Sequence, residues 1–586
     1  MSEIFAHKEH HVDFCVVGGG LSGICAAVAA SRHGAKVALM HDRPVLGGNA
    51  SSEIRMWVCG AHGKNNRETG IIEELMLENL YRNPNRIYAI WDSILYEKVR
   101  FDPNITLLLN CSCNDAQMDG DRIVSITGWQ LTTQQKHTVY ARLFADCSGD
   151  SILAPLSGAF YRYGRESSEE FGEDIAPKQA DKKTMGMSCL MQARQLDHKV
   201  EFIPPKWANH YTKEDLPHRR SNMASAGENF WYMELGGEND CIEDTEELRD
   251  ELLKVAFGIW DYVKNSGDCD ADNWELDWVG FLPGKRESRR YVGDYIMTQH
   301  DVRSEGRFDD LIAYGGWTMD DHNPAGIRTK EPPTIYHPAP SPYGIPYRCI
   351  YSKNIENLYF AGRNISVTHT AMSSTRVMAT CALLGQAAGT AAAIAVREGL
   401  TPRGVYENKI RELQQTLMDD DCYLPFRKRA SSSLILRGKL ESDGCGVENL
   451  INGLERPIGE EDNGFWGDKG CSIHFRLPKA EKFHFCRLVF DSDLERETVG
   501  ANKGEFHPMA SNIALHNSPY HVPQTMVRDF TISMKQNGGW KTVAKVNENY
   551  QRLVRVPLDC TADEIKISFT ETWGSDKIHL FSLDFI

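Results

Sequence analysis

A strand that runs straight into three spaced glycines limits this chain more than any other feature. Residues 13–17, Asp-Phe-Cys-Val-Val, are a short apolar run ending in β-branched residues, the composition of a buried strand. Gly18, Gly20 and Gly23 follow at once, and the alanine-rich run after them closes at Gly34, which predicts a helix with a glycine C-cap. A second apolar strand occupies residues 36–40. Strand, glycine loop, helix and strand in immediate succession is the context that gives G-x-G-x-x-G its meaning. Gly18 allows the tight turn, Gly20 lets backbone approach a pyrophosphate, and Gly23 lets the helix pack close to the sheet. Leu21 and Ser22 then open a helix whose positive end receives the phosphates. An acidic side chain is expected after the second strand to bind a ribose. His41 stands there and Asp42 follows it; either fills the role, with Asp42 preferred.

The 586 residues carry 65 Lys+Arg against 81 Asp+Glu, a formal charge of −16. That balance argues against broad nucleic-acid binding, which needs basic side chains to neutralise phosphates. The one basic run, Arg427-Lys428-Arg429, reads as a solvated loop. Sixteen cysteines include no C-x-x-C, and several, such as Cys15, Cys25 and Cys381, sit singly in apolar runs. This is the pattern of buried reduced thiols, not of a zinc ribbon or redox dithiol. The opening residues lack a signal-peptide pattern, and the apolar stretches read as shorter than the ~20 residues of a membrane span. A soluble cytoplasmic protein without a membrane partner is expected. Residues 7–11, His-Lys-Glu-His-His, read as a mobile tail in preference to a metal tract, and no metal motif is found.

Three further stretches narrow the dinucleotide. Residues 43–57 contain V-L-G-G-N-A-S-S-E-I-R; residues 141–159 contain Cys147-Ser148-Gly149-Asp150 after a strand; residues 357–393 give a strand, Ala361-Gly362, a loop and a long Ala/Gly/Leu helix. Together they resemble the FAD-dependent oxidoreductases with a glutathione-reductase-type FAD domain. More narrowly, they are similar to a bacterial subgroup sharing V-L-G-G-N-[AS]-S-S-E-[IV]-R and S-x-T-H-x-x-x-S-S-T-R-V-M. The resemblance implies bound FAD, held by Gly48, Asn49, Ser51 and Arg55 of the LGG loop, by Gly149 and Asp150, and by Gly362 and Arg363. It also implies that the last helix aims its N-terminus at the isoalloxazine. Ser373, Ser374 and Thr375 stand where that terminus is expected, as donors to the reduced ring. Gly385, Ala387, Ala388 and Gly389 read as close packing. Arg55 and Arg376 face cofactor or substrate. Cys59 and His62 lie where flavin is covalently attached in some relatives, though noncovalent binding is expected.

Only one G-x-G-x-x-G has a strand and helix around it, and C-x-x-C is missing, which excludes disulfide-reductase chemistry. A separate electron partner, oxygen or the substrate must then exchange electrons with the flavin. The simplest scheme moves a hydride between a substrate carbon and flavin N5, with an acid or base handling the proton. His322 beside Asp320 and Asp321, in a loop over 315–326, and His369, in the loop before the flavin helix, are candidates. Arg289, within Arg286-x-x-Arg289-Arg290, is a candidate for binding carboxylate, phosphate or vicinal hydroxyls.

The expected fold class is α/β: a glutathione-reductase-like Rossmann FAD domain with an inserted α+β substrate domain and a C-terminal all-β sandwich of jelly-roll type. The boundaries are 1–165 and 281–425 for the FAD domain, 166–280 for the insertion and 430–586 for the sandwich. The insertion carries an amphipathic helix over 246–265 and the aromatics Trp207, Trp231, Tyr232, Trp274 and Trp278, which suit sugar stacking or core burial equally. A further helix is expected around 402–418. The tail shows short alternating runs at 472–477, 486–490, 529–534, 553–558 and 564–569. Its opening, residues 447–457, is similar to galactose-binding-like sandwiches, although a packing or oligomer-contact module is preferred. The expected substrate is a small polar molecule, a carbohydrate or derivative. The alternatives are a monooxygenase, a fumarate-reductase-like enzyme on an organic acid, or a glycan-binding scaffold with structural FAD; a homo-oligomer is open.

Overall fold

The computed structural model describes residues 5–219, 221–223, 230–500, 509 and 512–586. The chain forms two compact units. One comprises Met1–His62, Arg86–Leu413 and His507–Asn517; the other comprises Gly63–Asn85, Gln414–Phe506 and Ser518–Ile586.

The first unit is mixed α/β. Its main sheet contains β1 (His7–Val17), β2 (Val37–Met40), β3 (Ile105–Leu108), β4 (Cys111–Asp119), β5 (Arg122–Gln130) and β6 (Gln135–Asp146) in the order β3-β2-β1-β6-β5-β4, with the short strand Leu358–Phe360 on β6. The strands β3, β2, β1, β6 and Leu358–Phe360 run parallel, and β5 pairs antiparallel with both β6 and β4. Phe14–Val17 and all of β2 are buried, as continuous apolar strands must be when both faces are covered. The parallel sheet is consistent with a Rossmann-like FAD domain.

The tail expected to be mobile is strand. His7–His11 pair with Lys136–Tyr140 of β6, so the backbone finds ladder partners that composition does not announce. Ring contacts reinforce the pairing: His10 Nε2 lies 2.9 Å from His137 Nδ1, and His11 stacks on Tyr140.

Helix α1 (Leu21–Arg32) is buried from Leu21 to Ser31 and packs against the helix Met378–Glu398. Their backbones nearly touch. A Cβ on Gly385 would lie 2.0 Å from the Ser22 carbonyl oxygen, and one on Gly389 would lie 2.1 Å from that of Ala26. The expected packing role of these glycines is what the fold uses. Met378–Glu398 is also longer than the apolar runs counted in the sequence. Its 21 residues, with mean hydropathy 1.5 over the most apolar stretch, are enough by length and composition to cross a membrane, but 94% of that stretch is buried inside the fold.

The amphipathic helix of the insertion spans Thr245–Asn265 and buries Leu248, Leu252, Ile259 and Trp260 against a core that includes Met187, Met191, Met233 and Trp274. Of the other aromatics, Trp207 is half exposed and Tyr232 buried.

The second unit is an antiparallel sheet in the order Phe465–Asp468, Lys577–Phe585, Ser472–Phe490, Leu553–Thr572, Val527–Gln536, Gly539–Val546, with Lys439–Ser442 added on Ser472–Phe490. The runs 472–477 and 486–490 prove to be one strand, as do 553–558 and 564–569. What looked like breaks are register shifts, one across Arg476 to Glu481 around Pro478 and one where Phe485 meets Pro557. Proline cannot donate to a ladder and is tolerated at such irregularities. The helix Ile71–Arg82 contributes Leu77 and Leu80 to this unit's core. Arg429, expected in a solvated loop, is buried against Asp419, Glu455 and Asp584 at 2.8–3.0 Å. Arg456, from the 447–457 stretch, is buried too and donates to the carbonyls of Asn65 and Arg67 and to Thr69 Oγ1.

The glycine contact between the two long helices makes a stability prediction. Gly385→Ala forces a methyl into the Ser22 carbonyl and is expected to cost about 1–3 kcal/mol, read as a lower denaturation midpoint. An unchanged midpoint would contradict the close approach.

Candidate functional site

A cavity of about 560 Å³ opens at the carboxyl ends of the parallel strands, the place where open α/β sheets take ligands. The glycine loop forms one end. Gly18 has φ +103°, and a Cβ there would lie 2.4 Å from the Cys147 carbonyl; a Cβ on Gly23 would lie 1.8 Å from the Gly18 oxygen. These two glycines seat the helix. Gly20 differs: the nearest atom to its missing Cβ is Gly48 Cα at 3.9 Å. Gly20 caps α1 with no side-chain hydrogen bond, and the first intrahelical bond runs from Ile24 N–H to Gly20 O. The amides of Leu21, Ser22 and Gly23 precede it and take no part in the helix ladder. Gly18 to Ser22 and Gly47 to Asn49 line the cavity together. A diphosphate fits this cradle, which offers N–H donors, a helix's positive end and no side chain in the way.

The loop of Gly48, Asn49, Ser51 and Arg55 divides in its roles. Ser51 Oγ donates to Gly48 O at 2.7 Å and is buried, while Asn49 Nδ2 donates to Lys285 O at 3.0 Å. Both shape the cradle. Arg55 is outside the lining; its guanidinium lies 4.4 Å from the Trp278 ring and 4.9 Å from that of Tyr88. His41 is buried, with Nδ1 accepting from Gly19 N–H at 3.0 Å and Nε2 donating to Val45 O at 3.0 Å. Burial, aided by Arg43, lowers its pKa to about 4, so the ring stays neutral and both nitrogens are spent on the loop. Asp42 lines the same end with an exposed carboxylate.

Further along, Asp146 ties the Cys147-Ser148-Gly149 turn by accepting from Ser148 N–H (2.9 Å), Leu153 N–H (2.8 Å) and the Tyr291 hydroxyl (2.6 Å). Asp150 meets Lys285 Nζ, Arg363 Nη2 and Ser288 Oγ, each at 2.8 Å. Burial pushes its carboxyl up, but Arg363 and Lys285 outweigh it and hold the pKa down. Gly149 turns the chain at φ +79°, and a Cβ there would lie 2.7 Å from the Arg363 guanidinium carbon. Gly362 lines the cavity beside it.

The flavin-helix expectation needs correction. A short helix, His369–Thr375, ends before Arg376, and Val377 caps the long helix Met378–Glu398. Ser373, Ser374 and Thr375 therefore close one helix instead of opening the next. Ser373 Oγ donates to Thr370 O at 2.6 Å, and Ser374 Oγ donates to Trp317 O at 2.5 Å. Neither serine lines the cavity; Arg376, Val377, Met378 and Cys381 do. Val377 has no side-chain cap bond, so a second helix N-terminus faces the cavity two residues beyond the expected place. Cys59 lines it too, whereas His62 does not and rests 4.2 Å from the Trp317 ring.

The segment expected as a loop around His322 is a hairpin, Met319–His322 paired with Thr334–His337. Strand alternation sends Asp320 and His322 to the cavity and Asp321 to the other face. Neither aspartate is solvated as a surface loop would be. His322 is bracketed by Glu234 (2.8 Å) and Asp320 (3.2 Å). Burial disfavours the charged ring, but the two carboxylates outweigh it and raise its pKa. Arg286 Nη1 lies 3.5 Å from Glu234, and Arg376 Nη2 lies 3.1 Å from Asp320, which completes an alternating row of charges. Trp231, Trp317 and Tyr336 line the same wall.

His369 occupies a helix, not a loop, and lies outside the lining. Its Nδ1 meets Glu287 at 2.9 Å and its Nε2 meets Asp321 at 3.1 Å. Burial is overcome by these carboxylates, and the pKa rises to about 10. Arg290 joins this buried cluster through Glu166 at 3.0 Å. Arg289 does reach the cavity, with its guanidinium 5.6 Å from the Tyr161 ring. Glu234 and Lys285 escaped the sequence reading; no local pattern around either announces a partner 88 or 135 residues away. Among the described residues, no cluster of three or more His, Cys, Asp or Glu is placed to hold a metal, and no disulfide forms.

A soluble pyridine nucleotide transhydrogenase of Marinobacter nauticus is 46% identical over 43 residues, 7% of this chain, and the chain spans only 9% of that relative's length. Among solved structures, the family 32 carbohydrate-binding module of Streptococcus pneumoniae EndoD is similar at 16% identity with a TM-score of 0.19, over 25% of this chain and 94% of that one. The corresponding module of C. perfringens NanJ, solved in complex with galactose, is similar at 13% identity with a TM-score of 0.19, over 26% and 97%. The family model described as FAD dependent oxidoreductase matches residues 13–417, from the glycine loop through the long helix at the cavity's far end, and the chain belongs to that family.

Proposed function

We propose that FAD lies along this cavity and that the enzyme, an FAD-dependent oxidoreductase, moves a hydride between a carbon of a polar organic substrate and the flavin. A carbohydrate or derivative is the proposed substrate. The observation that carries the placement is a cavity with a helix N-terminus at each end, Gly20–Leu21 and Val377–Met378, neither capped by a side chain, with Cys59 O accepting the Ala379 N–H at 3.0 Å at the second. Bound FAD supplies two-electron redox chemistry at its ring. The chain's own residues do the rest. Leu21 and Ser22 amides bind the diphosphate, helped by Gly48 and the absence of a side chain at Gly20. Asp42 takes the adenosine ribose, because both nitrogens of His41 are occupied. Asp150, oriented by Lys285 and Arg363, binds hydroxyls of the linking chain. Val377 and Met378 offer the positive helix end to the electron-rich edge of the ring.

At the substrate end, Trp231, Trp317 and Tyr336 supply aromatic surface for a sugar ring. His322, whose pKa Glu234 and Asp320 raise against the effect of burial, serves as the acid in the proton step. Arg289 stands at the same cavity as an anion donor. The glutathione-reductase-type fold, the subgroup resemblance, the C-terminal sandwich and a reducing cytoplasmic setting belong to the same proposal, supported by the sequence motifs and by cysteines built mostly as buried thiols.

Gly20→Val should fill the cradle without touching the sheet, so the purified variant is expected to retain its fold while its flavin content drops about tenfold or more. Full flavin occupancy in that variant would contradict the placement. Anaerobic addition of candidate sugars to the holoprotein should bleach the flavin for a substrate; bleaching by none of a broad sugar panel would contradict a carbohydrate.

His369 makes a pH prediction. Its folded pKa, about 10, lies above the unfolded value near 6.5. Its ion pairs therefore stabilise fully below pH 6.5, and that contribution is lost as pH rises toward 10. Urea denaturation of wild type should weaken across this window by up to about 1.4 kcal/mol per pH unit, and His369→Gln should flatten that slope. Parallel pH curves would show the ring to be uncharged.

A further inference from the structure

Six arginine and lysine side chains line the cavity, and five of them are held by hydrogen bonds. Lys285 and Arg363 each meet Asp150 at 2.8 Å, and Arg286 donates to Ser188 Oγ and Trp231 O at 3.0 Å. Arg289 donates to Asp150 O at 3.4 Å, and Arg376 donates to Asp320 Oδ2 at 3.1 Å. Arg43 is the sixth, and among the described residues its guanidinium makes no hydrogen bond. Asp42 and Glu53 stand 3.9 and 3.6 Å from it, beyond hydrogen-bond reach. Glu53 faces Nη1, the nitrogen sealed from solvent, while Nε and Nη2 keep accessible surface on a side chain that is 22% exposed.

That open edge lies at the glycine cradle. A Cβ on Gly48 would sit 3.1 Å from Gly20 Cα and 3.7 Å from Arg43 Nη2, so the guanidinium and the cradle floor meet at one point. The backbone beneath is anchored: Asn110 N–H donates to Arg43 O at 3.2 Å, and Cys111 N–H donates to His41 O at 2.8 Å. A guanidinium carries five N–H donors in a rigid fork and keeps its charge. Phosphate oxygens match that fork. Arg43 needs no surplus of charge in the cavity for this role. Glu53 lies outside the lining, on the Nη1 side, which leaves the Nη2 edge for a second anion.

We propose that Arg43 is a cofactor-binding residue whose Nη2 edge donates to the diphosphate of FAD, across the cradle from the Leu21 and Ser22 amides. This rests on the FAD placement above. The diphosphate is then gripped by a side chain as well as by peptide N–H groups, with Glu53 as the counter-charge that steadies Arg43 from behind. Asp42, next in the chain, remains for the adenosine ribose.

The test is titration of the full-length, flavin-stripped protein with FAD, followed by flavin fluorescence at about 0.1 M and about 1 M KCl. Arg43→Gln is expected to weaken FAD binding about tenfold or more and to narrow the difference between the two salt concentrations. The denaturation midpoint of the stripped protein should stay unchanged, and Arg43→Lys should keep part of the affinity. Competition isolates the diphosphate from the rest of the cofactor. ADP should displace FAD from wild type at lower concentration than adenosine does, and Arg43→Gln should reduce that advantage. Unchanged FAD affinity in Arg43→Gln, or an ADP advantage that survives it, would overturn the proposal. A loss of affinity with undiminished salt dependence, or one matched by a lowered midpoint, would make Arg43 a structural residue and overturn it as well. Wild-type protein that takes up no FAD at either salt concentration would remove instead the placement beneath it.

Discussion

Backbone lying directly on backbone is the constraint from which the site follows. Gly23 lets α1 start against the Gly18 carbonyl, Gly18 lets the loop pass the Cys147 peptide, and Gly385 and Gly389 let the long helix rest on the carbonyls of Ser22 and Ala26. Side chains at these positions would push the elements apart. Without them, two helices that are about 350 residues apart in sequence bring their N-termini to one cavity. Aligned peptide dipoles then supply positive potential at both ends without using ionisable groups. The proposed FAD placement gives each end a use: an anionic linker at one and a ring that gains charge on reduction at the other.

The ionisable groups are arranged as pairs and rows. Burying a lone charge is costly, and a buried pair repays that cost only when its geometry is complete. Arg286, Glu234, His322, Asp320 and Arg376 alternate in sign along the cavity wall, while Glu166, Arg290, Glu287, His369 and Asp321 do so behind it. Adjacent residues of one strand feed both rows, Asp320 to the front and Asp321 to the rear. The hairpin thereby raises the pKa of two histidines at once.

Short-range features of this arrangement were legible in the sequence. Gly18, Gly20 and Gly23 declare their roles through spacing, and the close-packed face of the last helix shows in Gly385 and Gly389. Long-range pairings were not. Nothing near Glu234 signals His322, and the tail at His7–His11 looks like loose polar chain until β6 is seen to extend beside it. The serines at 373–374 suggested a helix start because such residues favour N-caps, yet a local bond to Thr370 O and a tertiary one to Trp317 O use their hydroxyls, and the long helix starts after Val377. In the second unit, runs that read as separate short strands belong to long ones, with Pro478 and Pro557 at their register shifts.

The central claim is that one FAD molecule spans the cavity from α1 to the long helix. A crystal structure of the holoprotein tests it most directly. The account predicts diphosphate oxygens within hydrogen-bonding distance of the Leu21 and Ser22 amides, and the isoalloxazine edge against Val377 and Met378. A flavin seated elsewhere, or a ring turned away from Val377 with the diphosphate off the glycine loop, would contradict it.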